Sequence, residues 1–115
     1  MLRGEIRLVN LDPARADEAA KVRPAVVVSN DVLNATTAAL GHGTVTVVPV
    51  TSNVAKVYPF QVELPRESTG LRRDSKAQAE QVRAVSVTRI GPLVGRLTAE
   101  TEERLNVALR LHLGI

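Results

Sequence analysis

The sequence RPAVVVS at residues 23–29 and the sequence TVTVVPV at residues 44–50 decide the fold. The first is a continuous apolar run, which predicts a central β-strand buried on both faces. Pro24 has no N–H, so we expect it at the first positions of this strand, where no ladder donor is needed. The second run is rich in β-branched residues and predicts another strand.

Polar residues stand at one end of each run. Arg23 precedes the first valines, and Thr51 and Ser52 follow the second run. The ends of rigid strands are where a small barrel would place a site. These residues are therefore the first candidates for function.

The remaining sequence predicts short strands and two helices. Residues 5–10 alternate charged and aliphatic residues, which indicates a half-buried strand. Residues 11–22 are polar and predict a long loop. Further expectations are a helix over 32–40 capped by Asn30 and Asp31, a loop over 51–58, an edge strand over 59–64, a turn over 65–73, two short strands within 75–87 joined by a tight turn, and a strand over 91–97.

The C-terminal segment carries the clearest helix signals. Thr98 is a suitable N-cap, glutamates fill the first turn, and Gly114 lies where a C-cap glycine belongs. Four residues recur at helical spacing and predict its apolar face: Leu105, Ala108, Leu109 and His112.

Size and composition predict one domain spanning residues 1–115. Apolar residues make up 44%, so a core is available, and its small size favours a partner subunit covering part of it. The net charge of +3 is compatible with a polyanionic partner. The absence of cysteine excludes thiol catalysis and sulfur-based zinc sites. Without a signal sequence or a membrane-length apolar run, we expect a cytoplasmic protein.

Six segments together resemble the MazF/PemK family of bacterial toxins. They occur in the family's order and spacing and cover nearly the whole chain: RGEI at 3–6, DP at 12–13, RPAVVVSND at 23–31, VVPVTS at 47–52, KVYPFQVEL at 56–64 and AQAEQVRAV at 77–85.

This resemblance implies a mainly β fold with α additions, a small SH3-like β-barrel of the CcdB/PemK type with a C-terminal helix. It also implies a homodimeric, ribosome-independent endoribonuclease that cuts single-stranded RNA at short motifs and thereby inhibits translation. The partner it implies is a MazE-like antitoxin, whose acidic tail lies across the RNA groove. The family's catalytic arginine corresponds to Arg23, its catalytic hydroxyl to Thr51, and an acidic residue of the first loop to Glu18. That loop reads Ala16-Asp17-Glu18-Ala19 here, where the family often has Gly-Ser-Glu-Gln.

The residues suit RNA cleavage without a metal ion or cofactor. The RNA's 2′-hydroxyl attacks the adjacent phosphorus, giving 2′,3′-cyclic phosphate and 5′-hydroxyl ends, so DNA should resist. The Arg23 guanidinium matches the oxygens of a phosphorane. Thr51 or Ser52 can hold a phosphate oxygen or the 2′-hydroxyl, and Glu18 is a possible base or loop anchor.

Binding candidates have structural alternatives. Lys56 is expected to contact phosphate, while Tyr58 either stacks on a base or packs beside Phe60. Arg23 as a strand-end ion pair and Thr51 as a turn-initiating hydroxyl are the ordinary alternatives for those residues. Other candidates for a phosphate-tracking groove, whose shared face the sequence does not show, are Arg72, Arg73, Arg83 and Arg89.

Two rival functions remain open at this stage. One is a CcdB-like toxin that poisons gyrase on the same barrel, since a fold does not fix a function. The other is a non-catalytic RNA-binding module. No spacing of His, Asp and Glu supports a metal site, and His42 and His112 are assigned to a loop and to a helix face.

Overall fold

A computed structural model describes residues 1–12 and 21–115. Within these residues the chain forms seven β-strands and three α-helices. The strands are β1 Glu5–Asp12, β2 Lys21–Val27, β3 Thr44–Thr51, β4 Gln61–Leu64, β5 Ser75–Gln78, β6 Arg83–Ser86 and β7 Ile90–Arg96. The helices are α1 Asp31–Leu40, α2 Arg66–Thr69 and α3 Ala99–Leu113.

The strands form one antiparallel sheet with the order β4-β5-β3-β2-β1-β7, and β6 also pairs with β3. No pairing among the described residues joins β4 to β7, so the sheet is not closed. The predicted class, mainly β with α additions and a C-terminal helix, is confirmed. The central strands are buried on both faces, as expected: Val26 packs in one core cluster and Ala25 in the other.

Strand β3 carries strands on both of its edges. Strand β2 occupies one edge, and the other edge pairs first with β6 through Thr44–Val47 and then with β5 through Val50 and Thr51. Pro49 lies in the gap between these two outer partners and directs its nitrogen, which carries no hydrogen, into that gap. The missing donor therefore leaves no ladder bond unmade.

Pro24 is the fourth residue of β2, and the prediction that it occupies the first positions was wrong. It pairs with Leu8 of β1 inside a regular ladder. Val28 donates its N–H to the Thr46 carbonyl at 2.9 Å, so alternate residues of β2 direct their nitrogens towards β3. Pro24 is one of these residues, but it lies just outside the ladder between β2 and β3. The last opposed pair of that ladder is Ala25 and Pro49, so no donor is needed at Pro24.

Four other boundaries differ from the sequence expectations. Strands β1 and β2 extend into the predicted loop 11–22, and strand β4 begins after a turn closed by the Gln61 N–H on the Tyr58 carbonyl at 2.9 Å. Helix α2 occupies part of the predicted turn. In contrast, the two short strands predicted within residues 75–87 are confirmed as β5 and β6: a short 3₁₀ turn at Ala79–Gln81 joins them, and both pair with β3.

The two long helices have the predicted caps. Asn30 accepts a hydrogen bond from the N–H of Leu33, and Thr98 accepts one from the N–H of Thr101. On α3, Leu105 and Ala108 are buried, as expected. His112 is exposed, so its assignment to the apolar face was wrong. The last turn of α3 runs beyond the core, and residues 110–115 are all exposed.

The N-terminal segment ties the sheet to α3 through charged side chains. Arg3 donates to Glu102 and to Asn106 of α3 at 3.0 and 2.8 Å. Glu5 is buried and accepts from Arg7 at 2.8 Å and from Arg96 of β7 at 3.2 Å. Burial alone would raise the pKa of Glu5, but the hydrogen bond and charge of Arg7 and the Leu2 N–H lower it overall.

We expect Glu5→Gln to reduce the free energy of unfolding at pH 7 by about 2–3 kcal/mol, because two arginines lose their shared carboxylate. A lowered pKa in the folded state stabilises the protein above the ordinary value of 4.5, and that contribution is lost as the pH falls through the folded pKa. Urea unfolding at pH 7 and pH 3 should therefore show the gap between variant and wild type closing at pH 3. The exposed Glu100→Gln is the control, with at most about 1 kcal/mol expected. A gap independent of pH would contradict this account.

A second stability prediction concerns the contact of α2 with β7. A Cβ at Gly95 would overlap the Thr69 carbonyl oxygen, which is backbone and cannot rotate away. We expect Gly95→Ala to cost about 3 kcal/mol in urea unfolding. Gly41→Ala is the control, because no atom of the described residues lies within 4 Å of its new Cβ and only its φ of +71° costs about 1–2 kcal/mol. Equal losses in the two variants would show that this contact relaxes easily.

Candidate functional site

A cavity of about 570 Å³ lies where β2 and β3 cease to pair. Pro24 and Val50, which would have been the next opposed residues of that ladder, both line it. Its wall combines apolar, hydroxyl and guanidinium groups. The lining residues are Leu8, Arg23, Pro24, Val50, Thr51, Ser52, Gly70, Leu71, Arg72, Arg73, Ser75 and Val94.

Arg23 reaches this cavity from β2, where it is paired with Val9 of β1. Its side chain is exposed, and within residues 1–12 and 21–115 no carboxylate forms an ion pair with it. The alternative in which Arg23 is held in a strand-end ion pair therefore has no support in the described part of the chain.

Thr51 and Ser52 reach the same cavity from the end of β3. The Thr51 Oγ1 accepts a hydrogen bond from the Asn53 N–H at 3.2 Å, so the turn-initiating role is present. This bond uses an oxygen lone pair and leaves the hydroxyl proton available to a ligand. The turn role and a ligand role are thus compatible, because the turn fixes the direction of the hydroxyl.

Two further cations line the cavity. The sequence alone did not show which face of the protein they occupy. Arg72 and Arg73 follow Gly70, which ends α2 with a φ of +79°. Both are exposed, and neither forms an ion pair within the described residues. The signal in the sequence was the adjacent arginine pair after a glycine. The sequence does not reveal the strand pairing that brings the segment with Arg72 and Arg73 beside Arg23.

Lys56 and Tyr58 do not line this cavity. Tyr58 stacks on Phe60 with ring centroids 5.3 Å apart, and the Lys56 Nζ lies 4.7 Å from the Tyr58 centroid. Of the two alternatives for Tyr58, the structure shows packing beside Phe60. These residues form a second cluster, on the loop that follows Ser52.

The other candidates are placed as follows. Glu18 lies outside the described residues, so its role stays a prediction. His42 is exposed in the turn after α1. The described residues contain no group of three His, Asp or Glu side chains arranged to hold a metal ion. Of the helices in those same ranges, none is long and apolar enough to cross a membrane.

Taken together, the cavity is lined by three guanidinium groups, three hydroxyl residues and several apolar side chains. Guanidinium groups bind phosphate oxygens through paired N–H donors, and clustered cations raise the local concentration of anions. An open cavity with these groups suits an extended anionic ligand better than a small neutral one.

Comparison with known proteins agrees with this arrangement. Residues 2–113 match the family described as PemK-like, MazF-like toxin of type II toxin-antitoxin system. The chain is 57% identical to the endoribonuclease MazF9 of Mycobacterium tuberculosis, covering 100% of this chain and 98% of that protein. It is 28% identical to the endoribonuclease EndoA of Bacillus subtilis, covering 98% of this chain and 94% of that protein.

Among solved structures, a MazE–MazF complex from Deinococcus radiodurans superposes with a TM-score of 0.74 at 26% identity, covering 100% of this chain and 97% of that one. The match to a family model over nearly the whole chain, with this relative and this fold, is decisive. The chain belongs to the PemK-like, MazF-like family of toxins of type II toxin–antitoxin systems.

Proposed function

We propose that this chain is the toxin of a toxin–antitoxin pair and acts as a sequence-specific, ribosome-independent endoribonuclease on single-stranded RNA. The observation that carries the proposal is the meeting of Arg23, Thr51 and Ser52 in one cavity with Arg72 and Arg73. Arg23 and Thr51 are the residues that the family resemblance singles out. A relative with 57% identity over the whole chain is an endoribonuclease by name.

The reaction is an internal transesterification. The 2′-oxygen forms a bond to the adjacent phosphorus, and the bond from that phosphorus to the 5′-oxygen breaks. The proton of the 2′-hydroxyl passes to a base, and the leaving 5′-oxygen gains a proton. The products are a 2′,3′-cyclic phosphate and a 5′-hydroxyl. The nucleophile belongs to the RNA, so the proposal includes no metal ion and no cofactor.

Arg23 is assigned to the phosphorane. Negative charge grows on the non-bridging oxygens in the transition state, and a fixed guanidinium stabilises it more than it stabilises the ground state. Arginine stays protonated at any ordinary pH, so electrostatic stabilisation is a better role for Arg23 than proton transfer. Arg72 and Arg73 extend the positive surface along the backbone of the RNA.

Thr51 is assigned to orientation. Its oxygen is fixed by the Asn53 N–H, so its proton is free to bond a non-bridging oxygen or the 2′-oxygen. Ser52 is exposed beside it and offers a second hydroxyl to the same ligand. Glu18 is our candidate for the base that accepts the 2′ proton.

The regulation follows from the same surface. We propose a homodimer and a MazE-like antitoxin whose acidic tail competes with RNA for the cationic cavity. We propose further that the toxin acts on RNA in the cytoplasm.

The first prediction tests Arg23. Purified protein should cut a long single-stranded RNA at discrete sites in EDTA and leave cyclic-phosphate ends. Arg23→Ala should lower the cleavage rate by about 100- to 1,000-fold, because one preorganised donor is lost at the transition state. Arg23→Lys should recover only part of this rate, since lysine keeps the charge and lacks the planar fork. Quantitative mapping of RNA ends provides the measurement.

Arg104→Gln on the outer side of α3 is the charge-matched control and should cleave at the wild-type rate. If the wild type leaves RNA intact and blocks gyrase, the protein is a gyrase poison of the CcdB type. Salt-dependent RNA binding without turnover would make it a binding module. Cleavage that survives Arg23→Ala would remove Arg23 from the mechanism.

The next prediction separates the hydroxyl of Thr51 from its turn. Thr51→Val should lower kcat by about 100-fold, while Thr51→Ser should stay within about threefold of the wild type. Both the turn bond and the hydroxyl are lost in Thr51→Val, but an exposed turn bond contributes only about 1 kcal/mol to unfolding. Single-turnover cleavage alongside urea unfolding measures both effects. Full activity in Thr51→Val would contradict a role for the hydroxyl, and a loss of kcat confined to Thr51→Ser would assign the effect to the γ-methyl group and packing.

A further inference from the structure

Lys76 is a buried cation that the reaction described above does not use. Its residue is 8% exposed, yet no carboxylate in the described ranges lies within ion-pairing distance of its ammonium. Glu63 is opposite Lys76 in the β4–β5 register but is exposed and forms no ion pair with it. Within the described part of the chain, the ammonium donates a hydrogen bond to the Lys56 carbonyl oxygen at 2.6 Å. Buried charges without a counter-charge are costly, and proteins keep them mainly where they serve a function.

The β3–β5 register connects this cation with the candidate active site. Thr51 is directly opposite Lys76, and opposed residues of an antiparallel pair share one face of the sheet. Their Cβ atoms are therefore separated by about 4.5–5.5 Å. The Lys76 side chain leaves this position towards the loop that carries Lys56 and Tyr58.

A second ammonium is fixed in the same place. The Nζ atoms of Lys56 and Lys76 lie 4.7 and 5.9 Å from the centroid of the same Tyr58 ring. Phe60 stacks on that ring, and Tyr58 acts as a support for cations. The Tyr58 N–H is held by Gln61, whose amide donates to Glu80 at 2.7 Å. The loop is thus anchored at Lys56 and at Tyr58.

We propose that Lys56 and Lys76, supported by Tyr58, form a binding subsite for a second backbone phosphate of the RNA, next to the scissile phosphate. Lys56 is exposed and makes the direct contact, and Lys76 adds charge from beneath while fixing the Lys56 backbone. The inference rests on the proposed function, because it takes RNA as the ligand. RNA is favoured over an acidic peptide because Lys76 is the cross-strand neighbour of Thr51, which places this charge beside the reacting phosphodiester.

The test uses Lys56→Met and Lys76→Met, which remove each charge and keep an apolar stem. Arg104→Gln is the charge-matched control on α3. The ligand is a single-stranded RNA that carries the mapped cleavage motif and one 2′-deoxynucleotide at the cut, so that binding is measured without turnover.

The plot of log affinity against log salt has a negative slope. For the loss of one phosphate contact, the magnitude of this slope should decrease by about 0.7 in each variant. The double variant should show the same decrease in slope as each single variant, since both lysines bind the same phosphate. In cleavage assays the KM should rise by roughly tenfold with kcat nearly unchanged, because the subsite holds ground state and transition state alike. A purely structural role for Lys76 would instead lower stability or kcat and leave the salt slope unchanged.

A single neutral methylphosphonate moved along the RNA locates the subsite. One position within two nucleotides of the cut should weaken wild-type binding by roughly tenfold and have no further effect in Lys56→Met. A scan with no position of this kind would overturn the subsite. So would variants that lose affinity for an oligo-glutamate peptide but not for RNA, since the surface would then serve an acidic protein.

The test distinguishes failure of the subsite from failure of the proposed reaction. If wild-type protein cleaves but the salt slopes of the variants match the control, the subsite is wrong and the ribonuclease assignment stands. If wild-type protein binds RNA without cleaving it, a reduced slope measured on an unmodified RNA still supports the subsite.

Discussion

The nitrogens of Pro24 and Pro49, which carry no hydrogen, constrain the rest of the structure. At Pro49 the outer edge of β3 changes partner from β6 to β5, and at Pro24 the ladder between β2 and β3 stops. Neither place needs a donor, so both strands keep their remaining bonds. Beyond Ala25 and Pro49, β2 and β3 no longer pair, and the candidate site occupies the space between them. Two residues that ordinarily weaken a sheet thus determine where this one ends.

Two groups of arginines have different roles in this chain. Those paired with a carboxylate stabilise the fold, and those of the cavity are available to a ligand. Arg3 is paired with Glu102 and ties the N-terminal segment to α3, while Arg7 is paired with the buried acid Glu5. Within the described residues, the arginines of the cavity have no such partner. Unpaired like charges repel each other and lower the stability of the compact state. An anionic ligand that binds only the folded chain recovers that stability by mass action, so substrate and antitoxin tail would each act as a stabiliser.

How far the sequence predicts the structure depends on the range of each interaction. The Asn30 and Thr98 caps are local, and both were predicted correctly. The interior position of Pro24 depends on where a ladder between distant strands ends, which local patterns do not reveal. The same holds for Lys76, whose significance comes from its register with Thr51. For the site itself, ordinary tendencies of Arg23 and Thr51 favour structural roles, and family resemblance made them candidates.

The register of β3 with β5 is set by the core. Val50 and Ala77 form one opposed pair and are both buried, while Thr51 and Lys76 form the next pair on the other face. A slip of β5 by one residue against β3 would exchange the faces of β5, placing the Lys76 ammonium in the core and the apolar Ala77 at the site. The hydrophobic cost of that exchange fixes the positions of Thr51 and Lys76 without any contact between them. Packing of the core therefore positions both the candidate reaction hydroxyl and the adjacent cation, and a mutation that loosens the core at this pair would disturb the two together.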